Sequence, residues 1–223
     1  MNILALASDY DGTIADVGVT SESTVAALRR WKASGRKLIL VSGRHLDDLK
    51  QVLPELGLFD IAVLENGGLL YFPSMDMVRT LAPPPPTAFV ERLRPHNLPE
   101  FAVGRTIVAT KATEEAIVRE AIDALGLGLD LEIILNTDAL MVLPPGIDKA
   151  SGLAAALAEL DLPAVSVAAI GDAENDIVFL RSCGTAVAVA NALPQVKAIA
   201  NVVTRGARGA GVEEFIASVL ETQ

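Results

Sequence analysis

The sequence contains a single cysteine and no apolar run of the roughly 18 residues that a membrane-spanning helix requires. Cys183 cannot form an intramolecular disulfide, and its neighbours Ser182 and Gly184 supply no activating base, so we predict a buried, inert thiol. The N-terminal residues also lack the basic segment and cleavage-site pattern of a secretory signal. We therefore expect a soluble cytoplasmic protein.

Basic and aromatic residues are also scarce. Lys and Arg number 18 against 28 Asp and Glu, and this formal charge of −10 argues against binding to nucleic acid or to an anionic membrane. Only 4% of the residues are aromatic whereas 51% are hydrophobic, so the core must be aliphatic, as in a parallel sheet covered by helices. An anionic small-molecule ligand would need local positive groups.

Apolar segments alternate with helical patterns towards both ends of the chain. Buried strands are predicted at residues 3–7, 37–41, 61–64, 165–170 and 185–190. This alternation is typical of a doubly wound α/β fold with a parallel sheet. The turn Glu65-Asn66-Gly67-Gly68 joins two apolar runs as a hairpin, and there we expect the chain to leave the main sheet.

A run of prolines at residues 83–86 interrupts the alternation. Such a segment is stiff and extended and fits neither a helix nor a central strand, so we place a domain boundary there. Between it and Pro144-Pro145 the pattern predicts a small α+β insertion. The predicted core therefore comprises residues 1–82 and 146–223, and the inserted α+β domain comprises residues 83–145.

Polar groups that suit phosphate and metal chemistry follow the ends of several predicted strands. They are Asp9 and Asp11, Ser42 and Gly43, Lys149 at the start of a helix, and the acidic segment 171–176. Each group alone is ordinary turn or helix-cap chemistry. Because the carboxyl ends of parallel strands meet at one edge of a sheet, we expect these groups to share a crevice. A hydroxyl, backbone N–H groups and a lysine suit phosphate oxygens there, and the clustered acids need a cation.

The order of these groups closely resembles the four motifs of the haloacid dehalogenase superfamily, and within it the Cof-type phosphatases, whose cap domain is inserted between the second and third motifs. Asp9-Tyr10-Asp11-Gly12-Thr13 resembles the nucleophile motif, Ser42 the phosphate-binding hydroxyl, and Lys149 the lysine of the third motif. Gly171-Asp172 and Asn175-Asp176 resemble the metal motif, with Ala173 where many relatives have glycine. The resemblance spans nearly the whole core.

The resemblance implies a Rossmann-like core with an α+β cap, and a Mg²⁺-dependent phosphatase. Asp9 would become phosphorylated, while Asp11 would protonate the leaving group and later activate water. The phosphate-binding residues would be Ser42, Gly43, Lys149 and Asn175. Mg²⁺ would be held by the side chains of Asp9 and Asp172, by the backbone carbonyl of Asp11, and by Asp176 directly or through water.

The sequence defines the substrate less well. The short cap and the Glu65 to Gly68 turn resemble those of archaeal-type phosphoglycolate phosphatases, while similar caps occur in sugar phosphate phosphatases, which we rank slightly ahead. The candidate specificity residues are Arg44, Asn66, Thr137 and Asp138. A second anionic group on the substrate could meet Arg44, Arg105 or Lys111, which would favour phosphoglycolate or phosphoglycerate derivatives, although solvated surface charge is the more ordinary role of each residue.

Two other classes of protein use similar groups. A phospho-receiver also clusters acids, a hydroxyl and a lysine on a parallel sheet, but in about half this length and without an inserted domain. A phosphomutase of the same superfamily would depend on a bisphosphate activator. Rapid release of inorganic phosphate without such an activator separates a phosphatase from both. The sequence leaves the oligomeric state open.

Overall fold

The computed structural model describes residues 3–136 and 138–221. The strands are β1 (Ala5–Ser8), β2 (Ala15–Asp16), β3 (Val19–Thr20), β4 (Lys37–Val41), β5 (Ile61–Leu64), β6 (Leu69–Phe72), β7 (Met77–Thr80), β8 (Ala102–Val103), β9 (Val108–Lys111), β10 (Glu132–Asn136), β11 (Ala139–Leu143), β12 (Val167–Gly171), β13 (Thr185–Ala188) and β14 (Val202–Val203). The helices are α1 (Glu22–Ala33), α2 (Leu46–Val52), α3 (Thr87–Leu93), α4 (Glu115–Ala124), α5 (Lys149–Glu159), α6 (Ile177–Ser182), α7 (Pro194–Ile199) and α8 (Gly209–Glu221).

The main sheet has eight strands in the order β14-β13-β12-β1-β4-β5-β6-β7. The strands from β14 to β5 run parallel, which confirms the predicted doubly wound core. The hairpin after β5 does not leave this sheet as expected, because β6 pairs with β5 and β7 pairs with β6, both antiparallel. All four residues of β6 are buried, so this strand extends the hydrophobic core.

Strand β1 lies in the middle of the sheet, with β4 as its neighbour on one side and β12 as its neighbour on the other. From β1 the chain continues to β4, and only after the insertion does it return to β12 on the opposite side. Ligands bind in open α/β sheets where neighbouring strands connect in opposite directions, at the carboxyl edge. The carboxyl ends of β12, β1 and β4 therefore define the crevice in which a site is expected.

Helix α1 illustrates how the local sequence sets an element of the core. The Ser21 side chain accepts a hydrogen bond from the Thr24 backbone N–H, a cap that typically contributes about 1 kcal/mol. Leu28 and Trp31 are fully buried on one face of the helix. Gly35, with φ of +85°, follows the end of the helix, as predicted.

A second, antiparallel sheet of order β10-β11-β9-β8 lies between β7 and α5 in sequence. Its strands pack with α3 and α4 around a separate apolar cluster that includes Phe89, Leu93, Val118 and Leu140. An α+β unit with its own core is consistent with the predicted insertion. We keep residues 83–145 as the proposed bounds of this unit, which we call the cap.

Among residues 3–136 and 138–221, no helix combines the length and the apolar character needed to cross a membrane.

Helix α5 begins against the turn that follows β5. Asp148 caps the helix, since its side chain accepts a hydrogen bond from the Ser151 N–H and its own N–H donates to the Ser151 hydroxyl. Gly67 has φ of +108°, and a Cβ at this position would lie 1.9 Å from the Asp148 backbone oxygen. Only glycine fits here, and its close approach fixes where Lys149 enters the crevice.

We predict that Gly67→Ala lowers the free energy of unfolding by more than about 2 kcal/mol, because it adds a steric clash to the cost of a left-handed backbone. Gly35→Ala is the matched control, since Gly35 also has positive φ but would place its Cβ in open space. The control should lose about 1 kcal/mol. Urea denaturation of both variants measures the difference, and equal losses would contradict this account of the turn.

Candidate functional site

The carboxyl ends of β1 and β12 bring three acidic side chains together. Oxygen atoms of Asp9, Asp172 and Asp176 all lie within 4.8 Å of one another. Asp9 directly follows β1, and its backbone N–H donates to the Ile170 carbonyl of β12 at 3.0 Å. This bond holds the first acid beside the loop that carries the other two.

Lys149 lies between two of these acids. Its Nζ atom is 2.6 Å from Asp9 Oδ1 and 2.5 Å from Asp176 Oδ1, and its side chain is only 2% exposed. A buried ammonium is stable only when it is paired, and here two carboxylates pair with it. The structure thus places the predicted lysine against the predicted nucleophile.

Crowding and burial shift the pKa values of this cluster. Burial raises the pKa of Asp9 well above its usual value, the negative charge of Asp176 adds to this effect, and Lys149 opposes it. Burial, together with the charge of Asp176 and despite a hydrogen bond from Thr13, raises the pKa of Asp172 to about 6. The pKa of Lys149 is raised, because its two carboxylate partners outweigh the effect of burial.

The residues present fit a divalent cation. Three carboxylates share one ammonium, which leaves two negative charges uncompensated when all three are ionised. Burial is the main cause of the raised pKa values of Asp9 and Asp172, and repulsion from Asp176 adds to it. Carboxylate oxygens are the ligands that hard cations such as Mg²⁺ prefer. The cluster can therefore hold a metal ion.

Hydrogen bonds fix the acidic loop in place. Thr13 donates its hydroxyl to Asp172 Oδ1 at 2.7 Å, and the second oxygen of Asp176 accepts from the backbone N–H groups of Asp172 and Ala173. Asn191 donates to the Gly12 carbonyl at 2.9 Å from the far side of the first loop. The sequence alone did not assign a role to Thr13, although its position at the end of the first motif could have indicated that it contacts the acidic loop.

Ser42 and Gly43 directly follow β4, as predicted. Ser42 is 1% exposed, and its backbone N–H donates to the Val63 carbonyl of β5 at 2.8 Å. A Cβ at position 43 would meet the sulfur of Met141 at 3.3 Å, so strand β11 of the cap lies over this turn. The predicted phosphate-binding turn is thus at the crevice edge and covered by the cap.

Asp11 and Arg44 form a bidentate ion pair. Arg44 Nε lies 2.6 Å from Asp11 Oδ2, and Arg44 Nη2 lies 2.9 Å from Asp11 Oδ1. A third donor, Nη1, contacts Asp48 at 2.5 Å. Arg44 is therefore engaged by acids of the protein itself, and its predicted role in substrate specificity stays a prediction.

Asn66 and Asn175 meet beside the acidic cluster. Asn175 Nδ2 donates to Asn66 Oδ1 at 3.1 Å, while the buried Oδ1 of Asn175 has no hydrogen-bond partner among the described residues. Both asparagines line a cavity of about 270 Å³ between core and cap. The other lining residues are Glu132, Ile134, Leu135, Gly146, Ile147, Asp148, Glu174 and Val178.

The other predicted specificity residues lie in the turn between β10 and β11. Thr137 lies outside the residues that the structure describes. Asp138 is exposed and pairs with Lys111 at 2.8 Å, which lowers the pKa of Asp138. Lys111 also pairs with Glu100, so this lysine is engaged at the cap surface. The role of this turn in specificity stays a prediction.

Cys183 lies beyond α6 and is partly rather than fully buried, which corrects the predicted buried thiol. This partial burial raises the pKa of the thiol to about 11, which agrees with the predicted lack of reactivity.

Comparison with known proteins identifies the family. The sequence pattern of the haloacid dehalogenase-like hydrolases matches residues 6–84 and 107–216. The chain belongs to this family. A phosphoglycolate phosphatase of Methanothermobacter thermautotrophicus is 32% identical over 219 residues, which cover 95% of this chain and 96% of the relative.

Solved structures of this family confirm the fold. A haloacid dehalogenase-like hydrolase from Bacteroides thetaiotaomicron superimposes with a TM-score of 0.83 at 20% identity, covering 98% of this chain and all of the other. A sugar phosphatase of haloacid dehalogenase subclass IIB gives a TM-score of 0.75 at 20% identity, covering 96% and 98%. The predicted resemblance to the superfamily is confirmed by the matching sequence pattern and the phosphatase relative, and these structures confirm the fold.

In this hydrolase, Glu65 links the core to the cap, a contact that sequence reasoning missed. Its buried carboxylate accepts hydrogen bonds from the Arg105 N–H at 3.0 Å, the Thr106 N–H at 2.7 Å and the Thr106 hydroxyl at 2.8 Å. Burial would raise the pKa of Glu65, but His45 and these donors outweigh burial, so its pKa is lowered. The charged carboxylate therefore stabilises the contact between core and cap.

Glu65→Gln should lower the free energy of unfolding near neutral pH by about 1 to 3 kcal/mol, because an amide cannot accept all of these hydrogen bonds. The pKa of Glu65 in the folded protein lies below the usual 4.5. The contribution of the Glu65 carboxylate to the free energy of unfolding is therefore complete above pH 4.5 and is lost as the pH falls through the folded-state pKa. The two proteins should therefore converge in stability on acidification.

Urea denaturation of both proteins between pH 7 and pH 3 measures this effect. Glu91→Gln, an exposed change on α3, is the control and should match the wild type at every pH. A constant difference between wild type and Glu65→Gln across the range would show that the ionised carboxylate is not the stabilising species.

Proposed function

We propose that this protein is a Mg²⁺-dependent phosphatase that hydrolyses a small phosphomonoester through a phosphorylated Asp9. Family membership and the curated phosphatase relative support a phosphoric monoester hydrolase. The observation that carries the proposal is the buried Asp9 carboxylate, which lies 2.6 Å from Lys149 and beside Asp172 and Asp176. The proposed nucleophile, a buried ammonium and the proposed metal ligands thus lie together in one crevice.

The first step assigned to this site is transfer of the phosphoryl group to Asp9. The Asp9 carboxylate forms a bond to phosphorus while the bond to the ester oxygen breaks, and Asp11 gives a proton to that oxygen. Ser42, Gly43, Lys149 and Asn175 bind the phosphate oxygens. The position of Lys149 supports this role, since its ammonium already faces Asp9 from within the buried core.

The second step regenerates the enzyme. Asp11 takes a proton from a water molecule, the water oxygen bonds to phosphorus, and the bond between phosphorus and Asp9 breaks to release inorganic phosphate. The Asp11 side chain is 47% exposed and reaches solvent, whereas that of Asp9 is buried. The two acids thus have different environments, which supports different roles.

The side chains of Asp9, Asp172 and Asp176 and the backbone carbonyl of Asp11 would hold Mg²⁺. A bound divalent ion reduces the repulsion between a carboxylate nucleophile and a phosphate dianion. The uncompensated charge of the acidic cluster supports this assignment.

The phosphatase assignment is favoured over the two alternatives. The inserted cap and the eight-stranded sheet exceed what a phospho-receiver needs, and the curated relative is a phosphatase. A phosphomutase would carry a phosphoryl group between two positions of a sugar and would depend on a bisphosphate activator. Release of inorganic phosphate in the absence of any activator separates the phosphatase from both.

We infer that the leaving group is a neutral polyol such as a sugar. Asn66 and Asn175 line the cavity of about 270 Å³. Its lining includes Glu132, Asp148 and Glu174 but no lysine or arginine, so it repels a carboxylate. Asp148 and Asn175 directly precede Lys149 and Asp176, which places the cavity next to the acidic cluster. This charge distribution supports a sugar phosphate.

Phosphoglycolate is the second candidate substrate, because a phosphoglycolate phosphatase is 32% identical to this chain over nearly its full length. Its carboxylate would need a positive partner in the crevice. Arg44, Arg105 and Lys111 are the predicted partners. However, the Arg44 guanidinium already contacts Asp11 and Asp48, and Lys111 pairs with Glu100 and Asp138. A matched pair of substrates decides between the two candidates.

Asp9→Asn should abolish turnover while leaving the fold intact, because the amide keeps the shape of the side chain but cannot form the acyl phosphate. Phosphate release from p-nitrophenyl phosphate measures activity, and circular dichroism checks the fold. Retention of more than about one per cent of wild-type activity would place the nucleophile elsewhere.

EDTA should eliminate activity, Mg²⁺ should restore it, and Ca²⁺ should restore it poorly, since the larger ion prefers higher and more flexible coordination. Thermal unfolding with and without Mg²⁺ gives a readout independent of turnover, because binding to the folded state raises Tm. Asp172→Asn should remove that increase. Full activity with Ca²⁺, or an unchanged Tm increase in Asp172→Asn, would contradict the assigned site.

Glycerol 3-phosphate and 3-phosphoglycerate form the matched pair, since the former has a hydroxymethyl group where the latter has a carboxylate. We expect kcat/KM to be higher for glycerol 3-phosphate. Changing both Glu132 and Glu174 to Gln should raise kcat/KM for 3-phosphoglycerate about several-fold, because less negative charge then faces its carboxylate. The gain is limited because both glutamates are exposed and their charges are partly screened. The kcat/KM for glycerol 3-phosphate, whose leaving group is uncharged, should change by less than about two-fold. Preference of the wild type for 3-phosphoglycerate and phosphoglycolate would favour the second candidate.

A further inference from the structure

We propose that Arg44 is a positioning residue that holds the Asp11 carboxylate in place for its proton transfers. This inference rests on the proposed function, since it concerns the acid assigned to proton transfer. It differs from a role for Arg44 in substrate binding.

The contact between Arg44 and Asp11 has the geometry of a fork. Two parallel N–H donors, Nε and Nη2, contact the two oxygens of one carboxylate at 2.6 and 2.9 Å. A bidentate pair of this kind fixes both the distance and the plane of the carboxylate, whereas a single contact would let it rotate. The fork therefore determines where both Asp11 oxygens lie.

Arg44 is itself held by its surroundings. Its remaining terminal nitrogen contacts Asp48, one turn along α2, and its guanidinium lies 5.4 Å from the centre of the Tyr10 ring. Tyr10 is fully buried, and its hydroxyl donates to the Gly18 carbonyl at 2.9 Å. Contacts with Asp48 and with the buried Tyr10 ring therefore hold the Arg44 guanidinium in the position from which it binds Asp11.

The backbone joins Arg44 to the predicted phosphate-binding turn. Its N–H donates to the Ser42 hydroxyl at 3.1 Å, so the serine and the guanidinium belong to one local structure after β4. Asp11 belongs to the loop after β1, the neighbouring strand. The ion pair therefore sets the position of the Asp11 carboxyl relative to the Ser42 hydroxyl. Proton transfer to a phosphate ester held at Ser42 depends on that relative position.

A purely stabilising role for this ion pair makes a different prediction. Asp11 is 47% exposed and Arg44 is 25% exposed, and ion pairs at such positions typically contribute about 0 to 1 kcal/mol. A control is available on the same protein surface, since Arg79 pairs with Glu159 at 2.6 Å with 43% and 38% exposure. If only surface charge mattered, loss of either arginine would have the same effect.

A double-mutant cycle tests the proposal, with kcat/KM measured for p-nitrophenyl phosphate and glycerol 3-phosphate. Asp11→Asn should reduce activity about 100- to 10,000-fold. Arg44→Gln should reduce kcat/KM about 10- to 100-fold, because a misplaced Asp11 carboxyl loses much of its effect on proton transfer. Whichever of the two substrates loses more activity in Asp11→Asn should also lose more in Arg44→Gln. Arg44→Lys should not restore activity, since an ammonium cannot form the fork.

The decisive term is the effect of Arg44→Gln in the Asp11→Asn background. If Arg44 acts through Asp11, the second change should alter kcat/KM by less than about three-fold. Arg79→Gln should match the wild type, and the Mg²⁺-induced increase in Tm should persist in Arg44→Gln. Additive losses, or full rescue by Arg44→Lys, would instead assign Arg44 to direct binding of the substrate phosphate and overturn the proposal.

Crystal structures of the wild type and of Arg44→Gln give an answer that does not depend on turnover. The wild type should show Asp11 in one conformation on Arg44, and the variant should show it moved or in several conformations. Density for wild-type Asp11 turned away from Arg44 would overturn the proposal. If the wild type releases phosphate from neither ester, the proposed function fails, while these two structures still decide the role of Arg44.

Discussion

The site depends on one buried ammonium. Lys149 compensates for the charges of Asp9 and Asp176, and removing one partner of such a buried pair typically costs about 3 to 5 kcal/mol. The lysine can reach both acids only because α5 begins where the turn after β5 comes close to the Asp148 backbone, at Gly67. The start of one helix therefore governs both the stability and the charge of the crevice.

The parallel core could be predicted from sequence because buried strands in such a sheet are continuous apolar runs. β4 and β5 occur at the predicted residues. The place of the hairpin at β6 could not be predicted, since the same turn and the same apolar residues suit a strand that leaves the sheet and one that extends it. The two-residue strands β2 and β3 are too short to show any periodicity.

The candidate site was predictable to a similar extent. Asp9, Ser42 and Asp172 follow strand ends, so the topology of a parallel sheet alone brings them to one edge. The partner of each side chain was not predictable. Arg44 pairs with an acid 33 residues away, and Glu65 with a threonine 41 residues away. Such pairs depend on where neighbouring loops meet, and residue type says only that a partner is needed.

The cap contacts the core at groups that also form the site. Glu65 bonds to the cap at Arg105 and Thr106, and Asn66, the next residue, bonds to Asn175 beside the acidic cluster. Both Glu65 and Asn66 have positive φ, a conformation that costs free energy and persists only where surrounding contacts hold it. Cap contacts on Glu65 stabilise that conformation. The turn at Glu65 and Asn66 therefore contacts the cap through one residue and lines the cavity beside the acidic cluster through the next.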